Sequence, residues 1–103
     1  MTSPDEQIRV TIDAELEELV PRFIQLRHED IQTIKEALDE GDYETISRLG
    51  HSMKGSGISY GFDRISEIGK KMEHAAKSKE RAGVEEWLLA LSTYLENIEI
   101  TFE

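Results

Sequence analysis

Apolar residues recur at steps of three and four through nearly all of this 103-residue chain, and that spacing constrains the fold more than any other feature. A period near 3.6 lines one face of a helix, whereas a strand would need alternation at every second residue. Leu16, Leu19, Val20, Phe23, Ile24, Ile31, Ile34 and Leu38 form the first such stripe, on one long helix or on two pieces joined near Pro21. Pro21 lacks a backbone donor and should kink or restart the helix, and Asp13 is placed to cap its beginning. Gly41-Asp42 closes this segment and opens the next.

The second helix is expected from about Tyr43 to about Ser59, burying Ile46, Leu49 and Met53. Gly55, Gly57 and Gly61 gather at its far end, although each glycine inside a helix costs about 1 kcal/mol. Something other than helix propensity placed them there. Asp63 is read as the N-cap of a third helix with Ile65, Ile68, Gly69, Met72 and Ala76 inward. Lys77 to Gly83 reads as a polar connection, and Val84, Trp87, Leu88, Leu91, Leu95 and Ile98 mark a fourth helix. Each stripe needs the others to cover it. The expected fold is all-α, an antiparallel four-helix bundle formed by residues from about 13 to 103. Val10 and Ile12 alternate with polar neighbours, so residues 1–12 are read as a short N-terminal helix or arm capping the bundle.

This length supports one hydrophobic core and therefore one domain, 1–103. There is no cysteine, which removes thiolate chemistry and disulfides. No apolar run approaches the roughly 18 residues of a membrane span, and the start lacks the pattern of a signal peptide, so a cytoplasmic location and no membrane association are expected. The net charge of −10 argues against nucleic acid, whose binding needs a basic stripe, and favours a protein partner. The charge is uneven: residues 46–62 carry Arg48 and Lys54 and no acid, a local +2 in a chain that is otherwise −12.

His51 lies inside that window. At about 100° per residue it points about 165° away from the mean direction of Ile46, Leu49 and Met53, and so faces solvent. Residues three and four positions away share its face, which brings Ser47, Arg48, Lys54 and Gly55 beside it and Ile58 one turn further on. A phosphoryl group on the imidazole would gain from the charge of Lys54 and of Arg48. Gly55 would let another protein approach closely, and Ile58 would supply dry contact area. Taken alone, the same residues also describe a solvated lysine and glycines that merely end a helix.

The run His51-Ser52-Met53-Lys54-Gly55-Ser56-Gly57, followed by Gly61, resembles the His-x-x-Lys-Gly motif of histidine phosphotransfer (HPt) domains. The resemblance extends upstream through Gly41-Asp42-Tyr43-Glu44 and downstream from Ile65 to Ala76. It implies that His51 accepts a phosphoryl group through Nε2, that Lys54 neutralises the phosphoryl oxygens, and that Gly55 leaves room for a response-regulator receiver domain. It also implies that a polar residue on the next helix holds the other imidazole nitrogen, and the matching position is Glu73. Such a carboxylate would fix the tautomer that leaves Nε2 nucleophilic. The implied role is a phosphocarrier exchanging phosphate with a receiver aspartate or a hybrid histidine kinase, as a monomer without a cofactor of its own. The acidic pocket and its Mg²⁺ are then expected from the partner, because no carboxylate cluster lies beside His51.

Other classes fit less well. A di-metal bundle needs Glu-x-x-His pairs, but the residues three before His28, His51 and His74 are Gln25, Arg48 and Lys71. Neither a Walker-type phosphate loop nor a Gly-x-Gly-x-x-Gly turn occurs, so the chain should not draw phosphate from ATP. An interaction module binding a receiver or kinase without being phosphorylated is the remaining alternative.

Overall fold

The computed structural model describes residues 8–103. A strand β1 (Ile8–Ile12) leads through a 3-10 turn (Ala14–Leu16) into four helices, α1 (Val20–Asp39), α2 (Tyr43–Tyr60), α3 (Asp63–Lys77) and α4 (Arg81–Asn97). The chain then extends into β2 (Ile98–Phe102), which pairs in parallel with β1 from Ile8 opposite Ile98 to Ile12 opposite Phe102. The helical bundle is as expected, and the ends are not. The part of the arm that lies among the described residues is a strand, and Ile98 belongs to its partner strand. The remainder of the arm, residues 1–7, lies outside the described residues. β-branched residues at 98, 100 and 101 suit an extended chain, and pairing satisfies backbone groups that a frayed helix end would leave open.

Local signals set most helix boundaries. Asp13 caps the 3-10 turn by accepting from the Glu15 amide at 2.9 Å, and Pro21 sits in the first turn of α1, where its missing donor costs nothing. Gly41, at φ +69°, ends α1, and the Asp42 carboxylate accepts from the Thr45 amide at 3.1 Å to start α2. Gly61 closes α2 in the left-handed conformation, φ +84°. At α3 the N-cap is Phe62, not Asp63. Phe62 is wholly buried and stacks on Phe23 at 5.1 Å between ring centroids, so the core fixes where α3 begins, while Asp63 places negative charge in its first turn. The link before α4 is shorter than expected, because Arg81, Ala82 and Gly83 are already helical.

The core joins Ile34, Ile46, Met53, Ile65, Ile68, Met72, Val84 and Leu91, all fully buried. On α1 two expectations change. Leu19 is half exposed, and Arg27 takes a core position. Arg27 donates from Nε to Asp30 at 2.9 Å and from Nη1 to Ser56 Oγ at 3.0 Å, with its guanidinium over the Phe23 ring. Burial raises the Asp30 carboxyl above its ordinary range, only partly offset by Arg27. Among the described residues no helix is long and apolar enough to cross a membrane.

Candidate functional site

α2 and α3 share the most extensive contact in the bundle, and glycines create it. The buried line of α2 is Ile46, Gly50, Met53 and Gly57, whereas Leu49 is only half-buried against the core. A Cβ on Gly50 would stand 2.7 Å from the Glu73 amide nitrogen and 2.8 Å from the Gly69 carbonyl oxygen. One on Gly69 would stand 2.6 Å from the Lys54 nitrogen, and one on Gly57 2.6 Å from the Ser66 nitrogen. At these three glycines the backbones of α2 and α3 therefore meet directly. Ser66 fastens the seam by donating from Oγ to the Lys54 carbonyl at 2.8 Å.

This turns α2 relative to the sequence reading. Measured from the buried line that includes Gly50 and Gly57, His51 lies about 130° away, on the flank towards α3 and not opposite the core. Its side chain is still 73% exposed, and its Nδ1 lies 3.1 Å from Glu73 Oε2. Glu73 is the sheltered partner, 14% exposed, and the same Oε2 also receives the Lys77 ammonium at 3.3 Å. Burial pushes the Glu73 carboxyl up, but the hydrogen bond and charge of Lys77, with those of His51, outweigh it and hold the group below its ordinary range. An ionised carboxylate can only accept. Nδ1 is therefore the donor, and a neutral His51 keeps its lone pair on Nε2, the nitrogen turned away from Glu73.

The other residues singled out in the sequence divide between those gathered at the imidazole and those around it. Gly55 is open, with nothing within 4 Å of where a Cβ would stand. Ile58 is 64% exposed and lines a shallow hollow with Lys54, Ser66 and Lys70. Lys54 has no carboxylate partner among the described residues. Arg48 is turned back along α2, donating to Thr45 Oγ1 at 3.2 Å. Ser47 lies one turn before His51, beside Lys77. His28 is exposed on α1, and His74 is exposed on α3 next to Glu73. No group of three or more His, Asp or Glu residues among those described could hold a metal ion.

Three participants escaped the sequence reading. Gly50 lies seven residues from Gly57 and four from Ile46, so it shares the apolar stripe, a spacing that could have identified it as a contact. Lys77 stands four residues after Glu73, the favourable order for a helical ion pair. Ser66 carries no such signal.

The family model described as Hpt domain matches residues 18–101. Neither the curated proteins nor the solved structures contribute a match.

Proposed function

The chain belongs to the Hpt domain family, and on that premise we propose that it is a phosphocarrier that takes a phosphoryl group onto His51 Nε2 from the aspartyl phosphate of a receiver domain and returns it. Family membership carries the general phosphotransfer role in a phosphorelay, as a carrier domain and not a kinase. The residue roles are our reading. The observation that carries it is the contact of an exposed imidazole, through Nδ1, with a sheltered and ionised carboxylate, Glu73.

The Nε2 lone pair attacks phosphorus in line with the acyl phosphate oxygen, an N–P bond forms, the P–O bond breaks, and the receiver aspartate leaves as a carboxylate. The imidazole becomes formally cationic while Nδ1 keeps its proton. Glu73 accepts from that N–H in both states and gains Coulombic energy as the ring becomes positive, which favours the phosphorylated product. Lys77 holds Glu73 from the other side and restricts where its carboxylate can point. Lys54 acts on the phosphoryl oxygens, whose charge approaches two. Gly55 leaves space for the partner's backbone, while Ser47, Arg48 and Ile58 supply the contact rim. The acidic pocket and Mg²⁺ come with the receiver, the step being governed by positioning and charge.

The test is transfer from a receiver domain charged with acetyl phosphate. The wild-type chain should acquire acid-labile, base-stable phosphate. His51→Gln should acquire none while keeping its circular dichroism and melting temperature, because an exposed side chain adds little to the core. His28→Gln and His74→Gln should transfer normally. Phosphate on the His51→Gln variant would refute the reading, and a wild-type chain that binds the receiver without being labelled would make it an interaction module.

A further inference from the structure

Six of the twelve basic side chains pair with carboxylates among the described residues: Arg9, Arg22, Arg27, Arg64, Lys77 and Arg81. Of the other six, four lie on α2 and α3, namely Arg48, Lys54, Lys70 and Lys71. Carboxylates are not scarce, since the chain has 22. They are placed elsewhere. The two helices carry six bases against four acids, a net +2 that leaves −12 for the rest of the chain.

The lysines are also ordered along the seam. α2 and α3 run antiparallel, and the His51–Glu73 contact sets them level with each other. Lys54, three residues after His51, and Lys70, three before Glu73, are then each displaced by about 4.5 Å in the same direction. The near contact of Gly69 with the Lys54 backbone nitrogen agrees with this. Lys54, Lys70 and Lys71 border a hollow of about 380 Å³ together with Glu73 and Lys77. Lys54 and Lys70 also border the next hollow, with Ile58, Ser66 and the carboxylates Asp63 and Glu67, of which Glu67 is already paired with Arg64. The unpaired lysine charge of the two helices thus lies on the Gly55–Ile58 side of His51, where a Cβ on Gly55 would meet open space and Ile58 is exposed.

We propose that Lys54, Lys70 and Lys71 form a cationic strip that docks an acidic flank of the partner receiver, so that its aspartyl phosphate arrives over His51 Nε2. This deepens the carrier reading above and rests on it. The charge distribution supplies the argument for this partner. An acidic protein is repelled by the −12 remainder of the chain and attracted by the lysine strip, which biases orientation during diffusional encounter. Because Lys70 and Lys71 are exposed, their contribution is to the association rate more than to tight contact, and it is screened by salt.

The experiment compares the wild type with a Lys70→Glu/Lys71→Glu double variant, using a receiver domain that transfers to the wild type after charging with acetyl phosphate. Transfer by the variant should be slower by about tenfold or more at low salt. The two proteins should converge near 1 M salt, where the screening length is about 3 Å. Lys70→Gln/Lys71→Gln should fall between them, and melting curves should show all three folded. Phosphoramidate, a small donor that needs no docking face, should label His51 in every variant. Equal rates with equal salt dependence in wild type and double variant would overturn the strip while leaving the carrier intact. If phosphoramidate fails to label the wild-type chain and no charged receiver transfers to it, the carrier reading itself is overturned.

Discussion

Replacing Gly50 with alanine should weaken the fold and disturb the imidazole, although Gly50 points away from His51 into the helix seam. Alanine normally favours a helix over glycine by about 1 kcal/mol. Here the new Cβ would lie 2.7 Å from the Glu73 amide nitrogen and 2.8 Å from the Gly69 carbonyl oxygen. Both are backbone atoms of α3, so no side chain can swing aside. Reaching an ordinary contact of 3.4 Å requires α2 and α3 to separate by about 0.7 Å. Overpacking of this kind costs about 1–3 kcal/mol, and after the propensity gain a net loss of up to about 2 kcal/mol remains. In a domain of this size that lowers the melting temperature by up to about 15 °C. The same displacement stretches the His51–Glu73 contact from 3.1 Å to about 3.8 Å, beyond hydrogen-bonding range. Thermal and urea denaturation measure the first effect. Nitrogen-15 NMR of the imidazole measures the second, as loss of the single Nδ1–H tautomer. A Gly50→Ala protein that melts at or above the wild-type temperature with an unaltered imidazole spectrum would refute the reasoning.

At Gly55, where a Cβ meets open space, alanine should instead raise stability by up to about 1 kcal/mol. Gly55→Gln should fold yet transfer phosphate from a receiver far more slowly, a difference read by urea melts beside a transfer assay. The carboxyl of Glu73 is held below its ordinary range, so its contribution to stability is present above the unfolded value of 4.5 and is lost as pH falls through the folded value. Glu73→Gln should therefore be less stable than the wild type at pH 7, and the gap should close below pH 4.5 in acid titrations followed by circular dichroism. Burial pushes the Tyr94 hydroxyl up to about 12, so the neutral form is the one the fold favours. Its contribution is intact below pH 10 and is lost between pH 10 and about 12, and Tyr94→Phe should show a shallower alkaline loss of stability than the wild type.

The four helices and most of their ends were legible in the amino-acid sequence because the signals are local. Pro21 restricts only its own turn, Asp42 caps an amide three residues on, and Gly41 and Gly61 reverse the chain where they stand. The exposure of His51 was legible for the same reason, since helical period alone separates it from Ile46 and Met53. What surrounds it was not. A glycine inside a helix reads as a weakness, and only the backbone of α3 facing Gly50 and Gly57 makes it a contact surface. That contact rotates His51 towards α3 and brings Glu73, 22 residues away, to its Nδ1, with Lys77 on the far side of the carboxylate. The strand pair is the same case at greater range. Val10 and Ile100 are ambiguous in isolation, and they become strand because the bundle brings the two ends of the described chain together. Period and capping act within a few residues, so the sequence alone determined the helices and the outward histidine. Glycine seams, the carboxylate at the imidazole and the parallel strands depend on which backbones meet, and tertiary packing decided them.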